Sequence, residues 1–236
     1  MTKKAAFWVF FLFCANALHA QDKLVIDSLY RAFHAAQDPI KKIDLLYDIA
    51  NEQDDAGNPD TGFRYADSLE LLSKAAHYKK GLARAFDMRG WALGQKGEFA
   101  ASLPFFHQQL ALFLEIKDLD GQGRALNNIG TAWHDMEVND SAIVYYLRSL
   151  DIKERLGNMS DVAASLANIA NIYSDMEAHD KAIEMLHRAL RIRREQGEEK
   201  RTMFTLNNLA VAYGKKGDFE KSVAYADTGI VVALKY

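Results

Sequence analysis

The sequence predicts an all-α fold, a solenoid of about five helix–turn–helix units. Two observations predict it. Small residues recur every forty positions, at Ala50, Gly90, Gly130, Ala170 and Ala210, and a second small residue follows each by twelve: Gly62, Ser102, Ala142, Ala182 and Ser222. Larger apolar residues flank the first column at helical spacing. Leu126, Ile129 and Trp133 fall at i, i+3 and i+7, and the same columns then read Leu166, Ile169, Tyr173 and Leu206, Leu209, Tyr213, which is one apolar face per helix.

The second helix of each unit carries its own columns. Leu110, Leu150, Leu190 and Ile230 form one; Phe106, Tyr146 and Leu186 form another, weakening to Ala226. Gly, Ala or Ser where two helices cross lets the axes approach near the short end of the usual range of about 8–10 Å. A single hairpin cannot cover such a face alone, so stacked neighbours must.

The unit resembles the tetratricopeptide repeat, whose signature small residues lie twelve apart with an aromatic three after the first. Trp133, Tyr173 and Tyr213 supply that aromatic. The first unit departs from the pattern, with Gln53 in the aromatic place and Glu70 in the apolar column. The family's usual unit is about 34 residues. A period of forty is similar to the tandem type of kinesin light chains and bacterial sensor proteins, and Leu206 to Gly214 (Leu-Asn-Asn-Leu-Ala-Val-Ala-Tyr-Gly) is close to the light-chain pattern. The resemblance implies a right-handed superhelix whose first helices line a concave groove, and a non-enzymatic scaffold that binds a protein or peptide there.

Taken in order, residues 1–20 read as a signal peptide. Lys3 and Lys4 precede an apolar run from Ala5 to Ala17, and Leu18-His19-Ala20 ends in a small residue before Gln21, the layout of a cleaved leader. The expected product is exported, periplasmic or extracellular. Residues 21–37 hold a helix expected to cap the stack. The solenoid is expected over 38–236, with repeats at about 40–79, 80–119, 120–159, 160–199 and 200–236. Asn58-Pro59-Asp60 makes the first intra-repeat turn, with Asp60 the expected N-cap. Inter-repeat breaks are expected at Gly81, Gly121, Gly157 and Gly197, and Pro104 is expected as a tolerated bend inside a helix. Tyr236 falls where the last helix should finish, with Val231, Val232, Ala233 and Leu234 apolar before it. Terminal repeats need a polar outer face, so a partner, a second copy as a homodimer, or further C-terminal sequence is expected to cover this end.

Composition excludes several classes. The net charge is −3, and removal of a basic leader makes it more negative, which argues against a nucleic-acid footprint. Cys14 is the only cysteine and lies in the leader, so the mature chain has no disulfide or thiolate chemistry. No stretch after the leader is long and apolar enough to span a membrane. There is no Gly-rich phosphate loop, no His-Glu-x-x-His and no Gly-x-Ser-x-Gly. No two histidines of the mature chain stand at metal-ligand spacing on a helix, and no cofactor or metal is expected.

The candidate site residues are polar groups on the first helices. One column reads Asp87, Asn127, Ala167, Asn207, the next Met88, Asn128, Asn168, Asn208, and a third Trp91, Thr131, Asn171, Val211. Asn is a poor helix-interior residue. An amide offers donors and acceptors together, which suits an extended peptide backbone; hydrogen bonding to the neighbouring repeat would select the same columns. Arg84, Arg124 and His134 lie beside these columns, and an arginine pair one period apart suits a carboxylate. The leading expectation is an exported protein- or peptide-binding scaffold. By resemblance it is the periplasmic sensing part of a bacterial signalling protein of histidine-kinase or transcriptional-regulator type. The alternative is a structural adaptor that self-associates through its open C-terminal end.

Overall fold

The structure, a computed structural model, describes residues 24–52 and 58–235. Residues 1–20, expected to be a leader, and Gln53 lie outside them. The described residues hold eleven helices and no strand. Helix α1 spans 24–35. It is followed by α2 (Pro39–Glu52), α3 (Pro59–Ala75), α4 (Lys79–Gln95), α5 (Phe99–Glu115), α6 (Leu119–Asp135), α7 (Asn139–Leu156), α8 (Met159–Asp175), α9 (His179–Glu195), α10 (Glu199–Lys216) and α11 (Phe219–Lys235). From α2 on, first and second helices each restart every forty residues, so the sequence period is also the structural one.

By their contacts the residues form two compact units, one up to Leu112 and one from Phe113. In the first, α3 packs on α2 and α4, and α2 touches α4. In the second, each helix from α6 to α11 packs on the next, and α8 also touches α10.

From α3 onward, one device joins every helix to its successor. The residue just past each helix is left-handed: His77 (φ 51°), Gly97 (76°), Lys117 (56°), Glu137 (61°), Gly157 (71°), Glu177 (57°), Gly197 (68°) and Gly217 (88°). The next amide returns to a carbonyl five residues back, as in Tyr78 N–H to Ser73 O at 2.9 Å and Val138 N–H to Trp133 O at 2.9 Å. This is the Schellman closure, which satisfies carbonyls left open at a helix end. Gly157 and Gly197 stand at the breaks expected there, in the left-handed conformation. Gly81 and Gly121 do not; they lie inside α4 and α6. They are there for close approach. A Cβ on Gly81 would stand 2.4 Å from Ser73 Oγ, and one on Gly121 would stand 2.3 Å from the Phe113 ring. The breaks fall four residues earlier, at His77 and Lys117, where the chain accepts a strained side chain instead of glycine.

The first turn also differs from expectation. Asn58, not Asp60, caps α3, accepting the Asp60 amide at 3.0 Å, and Pro59 is the first helical residue, where its missing donor costs nothing. Pro104 lies inside α5, which continues through it.

The small columns are where helices meet. Phe106 lies over Gly90, Tyr146 over Gly130, and Ser222 Oγ donates to Ala210 O at 2.8 Å. In the second unit, Leu150 packs with Val162, Leu166 and Ile169, and Leu190 packs with Leu206 and Leu209. Trp133 and Tyr173 pack against these clusters, as their core columns require. Ile230 stands in the same column as Leu150 and Leu190 but is 56% exposed.

Candidate functional site

Residues one period apart face each other across neighbouring first helices. In the first unit, Arg84 pairs with Asp44 at 2.5 Å and lies 4.6 Å over the Tyr47 ring. Tyr47 Oη donates to Asp87 Oδ2 at 2.8 Å, and Tyr78 Oη donates to Asp44 Oδ1 at 3.0 Å. Arg84 and Asp87, expected to meet a ligand, are thus already engaged within the fold. Trp91, one turn beyond Asp87 on α4, is 51% exposed.

The second unit holds a second ladder, with Asp175 and Lys215 one period apart and His134 one residue off that register. His134 Nε2 of α6 lies 3.2 Å from Asp175 Oδ2 of α8, and Lys215 Nζ of α10 lies 3.7 Å from the other Asp175 oxygen. Arg124 sits 3.4 Å from Asp120, one turn back on its own helix. Thr131 Oγ1 bonds Tyr146 Oη at 2.8 Å. Burial raises the Asp135 carboxyl, opposed by the neighbouring His134. An open cavity of about 410 Å³ lies at this end, lined by Ser174, Asp175, Glu177, His179 and Lys215.

The asparagines separate into two groups. Asn128 is buried and partnered. Asn127, Asn168 and Asn208 are half-buried, and Asn171 and Asn207 are exposed. No side-chain hydrogen bond is made by any of these five among the described residues. The expected columns are therefore present on α6, α8 and α10, but only one asparagine, Asn128, has the profile of a stacking residue. Sequence reasoning missed Asp44 and Tyr47 as partners of Arg84 and Asp87, and Asp175 and Lys215 as partners across helices. Their signal was available: each stands forty residues from the residue it meets. It also missed Phe204, which stands exposed on α10 one turn before Asn207 and Asn208; Val211, read in the third column, is exposed on the same helix.

Among the described residues there is no helix long and apolar enough to cross a membrane, and no group of His, Cys, Asp or Glu that could hold a metal.

Residues 161–230 match the family model of the tetratricopeptide repeat. No curated protein matches the chain in sequence. Among solved structures the fold is similar to BtubC (BKLC) from P. vanneervenii, with 22% identity, a TM-score of 0.70, and 92% of this chain and 89% of that one covered. It is also similar to PH0952 from Pyrococcus horikoshii, a signal transduction ATPase with a tetratricopeptide repeat sensor. There the identity is 17%, the TM-score 0.72, and the match spans 93% of this chain and 34% of that one. A third is a Rap protein complexed with competence and sporulation factor, at 13% identity and a TM-score of 0.64, covering 94% of this chain and 73% of that one. At these identities the likeness is one of fold.

Proposed function

We propose that this chain, whose residues 161–230 match the tetratricopeptide-repeat model and whose fold is similar to that of BtubC, is a non-enzymatic scaffold that holds an extended peptide segment of a partner on the first helices of its second unit. The observation that carries this is the set of five side-chain amides, Asn127, Asn168, Asn171, Asn207 and Asn208, that are half-buried or exposed and make no hydrogen bond among the described residues. Each costs helix propensity and contributes no stacking bond. Each offers a donor and an acceptor to a peptide group without reading its side chain. The helices that present them are packed, so little ordering cost falls on binding. In the same proposal the leader directs export, and the chain serves as the periplasmic sensing part of a bacterial signalling protein. The Rap complex and the PH0952 sensor, both similar in fold, support a sensing role.

The test is selection from a library of short, end-capped peptides by the full chain and by Asn168→Ala with Asn208→Ala. The wild type enriches peptides; the double variant does not, while its melting temperature stays within about 2 °C. Equal enrichment by both proteins overturns the proposal. Export is tested separately, by expression in a bacterium with a periplasm. Recovery of a protein beginning at Gln21 supports it, and an intact Met1 in the cytosol overturns it.

A second reading is self-association through α11. Phe219, Val223, Ile230 and Leu234 share one helical face and are 72%, 59%, 56% and 83% exposed. Size-exclusion chromatography with light scattering decides it: a concentration-independent monomer rules it out.

A further inference from the structure

Beyond the amides, the second unit carries an observation that bears on what kind of peptide it takes. On α10, Phe204 is 60% and Val211 51% exposed. They stand seven residues apart with Asn207 and Asn208 between them, so all four share a face. The spacing is about 10 Å along the helix axis. One period upstream the same two columns read Ala164 and Asn171, and two periods upstream Arg124 and Thr131. Neither Phe nor Val is chosen for helix propensity, and the exposed parts of both side chains face solvent and not the core. The apolar bulk therefore appears on one first helix of this unit, on either side of its amide pair.

Several of the charges bordering the same face are already paired, while Lys200, one turn before Phe204, stands exposed. Asp175 is held between His134 at 3.2 Å and Lys215 at 3.7 Å, and Arg124 is matched by Asp120 at 3.4 Å. A charge set against Asp175 or Arg124 would have to break one of these pairs, and a basic segment would meet Lys200. An uncharged segment would break none of them.

We infer that the segment bound on this face is uncharged and carries a large apolar side chain, seated against Phe204 and Val211 while the amides hold its backbone. The inference rests on the peptide-binding reading above. An extended chain points successive side chains to opposite sides, so one such residue meets α10 while its neighbours face solvent. The amides supply binding and the apolar pair supplies selectivity, on separate side chains.

The experiment repeats the capped-peptide selection with Phe204→Ala and Val211→Asn together, which install the residues the preceding repeat carries at those columns. Wild type should enrich uncharged peptides with a large apolar residue at one fixed position. The variant should still enrich peptides but lose that positional preference. A wild-type-selected peptide, measured by fluorescence anisotropy, should bind the variant about tenfold to a hundredfold more weakly, the range expected for one buried apolar side chain. An unchanged apolar preference in the variant, or enrichment of charged peptides by the wild type, overturns the inference and leaves the amide reading standing. Failure of both proteins to enrich any peptide overturns the two together. Circular dichroism melts of the variant check that the helices are intact. Loss of the fold in the double variant moves the test to Val211→Asn alone, with the same two outcomes.

Discussion

The ring of Phe106 occupies the space beside Gly90: a Cβ on that glycine would stand 2.4 Å from Phe106 Cε1. In an exposed helix, Gly→Ala stabilises by about 1 kcal/mol. At Gly90 the sign reverses, because the methyl group drives a buried ring and the helix behind it apart, an overpacking cost of about 1–3 kcal/mol. Gly94, one turn later on the same helix, has nothing within 4 Å of its Cβ position. Gly90→Ala should lower the stability of the chain in urea denaturation, and Gly94→Ala should raise it by roughly 0.5–1 kcal/mol. Equal effects at the two sites would contradict the packing described.

The left-handed residues predict a stabilising change. Glu137 holds φ at 61°, at a strain of about 1–2 kcal/mol for an L residue. Glycine removes the strain but adds roughly 0.5–1 kcal/mol of backbone entropy to the unfolded chain. Glu137→Gly should therefore be stabilising by a few tenths to about 1 kcal/mol. Gly157→Ala, at φ 71° with open space around it, should be destabilising by about 1–2 kcal/mol. Denaturation midpoints of the two variants check both signs.

A buried polar contact joins the third and fourth repeats. Lys153 Nζ donates to Ser165 Oγ at 2.8 Å, and Ser165 is fully buried. Burial lowers the Lys153 ammonium, with Asp161 and Asp120 opposing. The corresponding Arg193 donates to Thr205 Oγ1 and to Arg201 O at 2.6 Å. Ser165→Ala leaves an ammonium without this acceptor and should cost about 1.5–3 kcal/mol. In a double-mutant cycle, Lys153→Met should recover part of that loss. Strict additivity would show that the bond contributes nothing.

His187 predicts a component of acid sensitivity. Burial lowers its pKa. Its Nε2 lies 3.1 Å from Tyr213 Oη, and its ring packs edge-on to both Tyr213 and Tyr225. Glu184, Arg188 and Arg191 flank it on its own helix, and Lys221 lies over Tyr213. The neutral ring is the form the fold prefers. Its contribution is therefore intact above the unfolded value near 6.5 and is lost as pH falls from there through the lower folded value. His187→Gln carries no charge at either end of that window. Melting curves at pH 7.5 and pH 5 should show the wild type losing more than His187→Gln; parallel losses would remove His187 as the cause.

Much of this was legible in the sequence. The forty-residue columns of small and apolar residues set the helices and their partners, because a packing contact between identical units must recur at the period of the unit. The same arithmetic, applied to polar residues, would have paired Asp44 with Arg84 and Tyr47 with Asp87. A search for chemistry on single helices passes over such pairs, since neither partner is unusual by itself.

The repeat, its all-helical character and the identity of the close crossings were determined by the sequence alone, because steric fit between neighbouring units leaves a periodic imprint on residue size. Tertiary structure decided which polar groups are spent and which are available. Gly81 and Gly121 look like turn residues until a ring or hydroxyl is found against them. The asparagines look alike until Asn128 proves buried and the side chains of its five counterparts make no hydrogen bond among the described residues. Hydrogen-bond satisfaction depends on where a neighbour's atoms lie to within an ångström, and a column of letters carries no such distance.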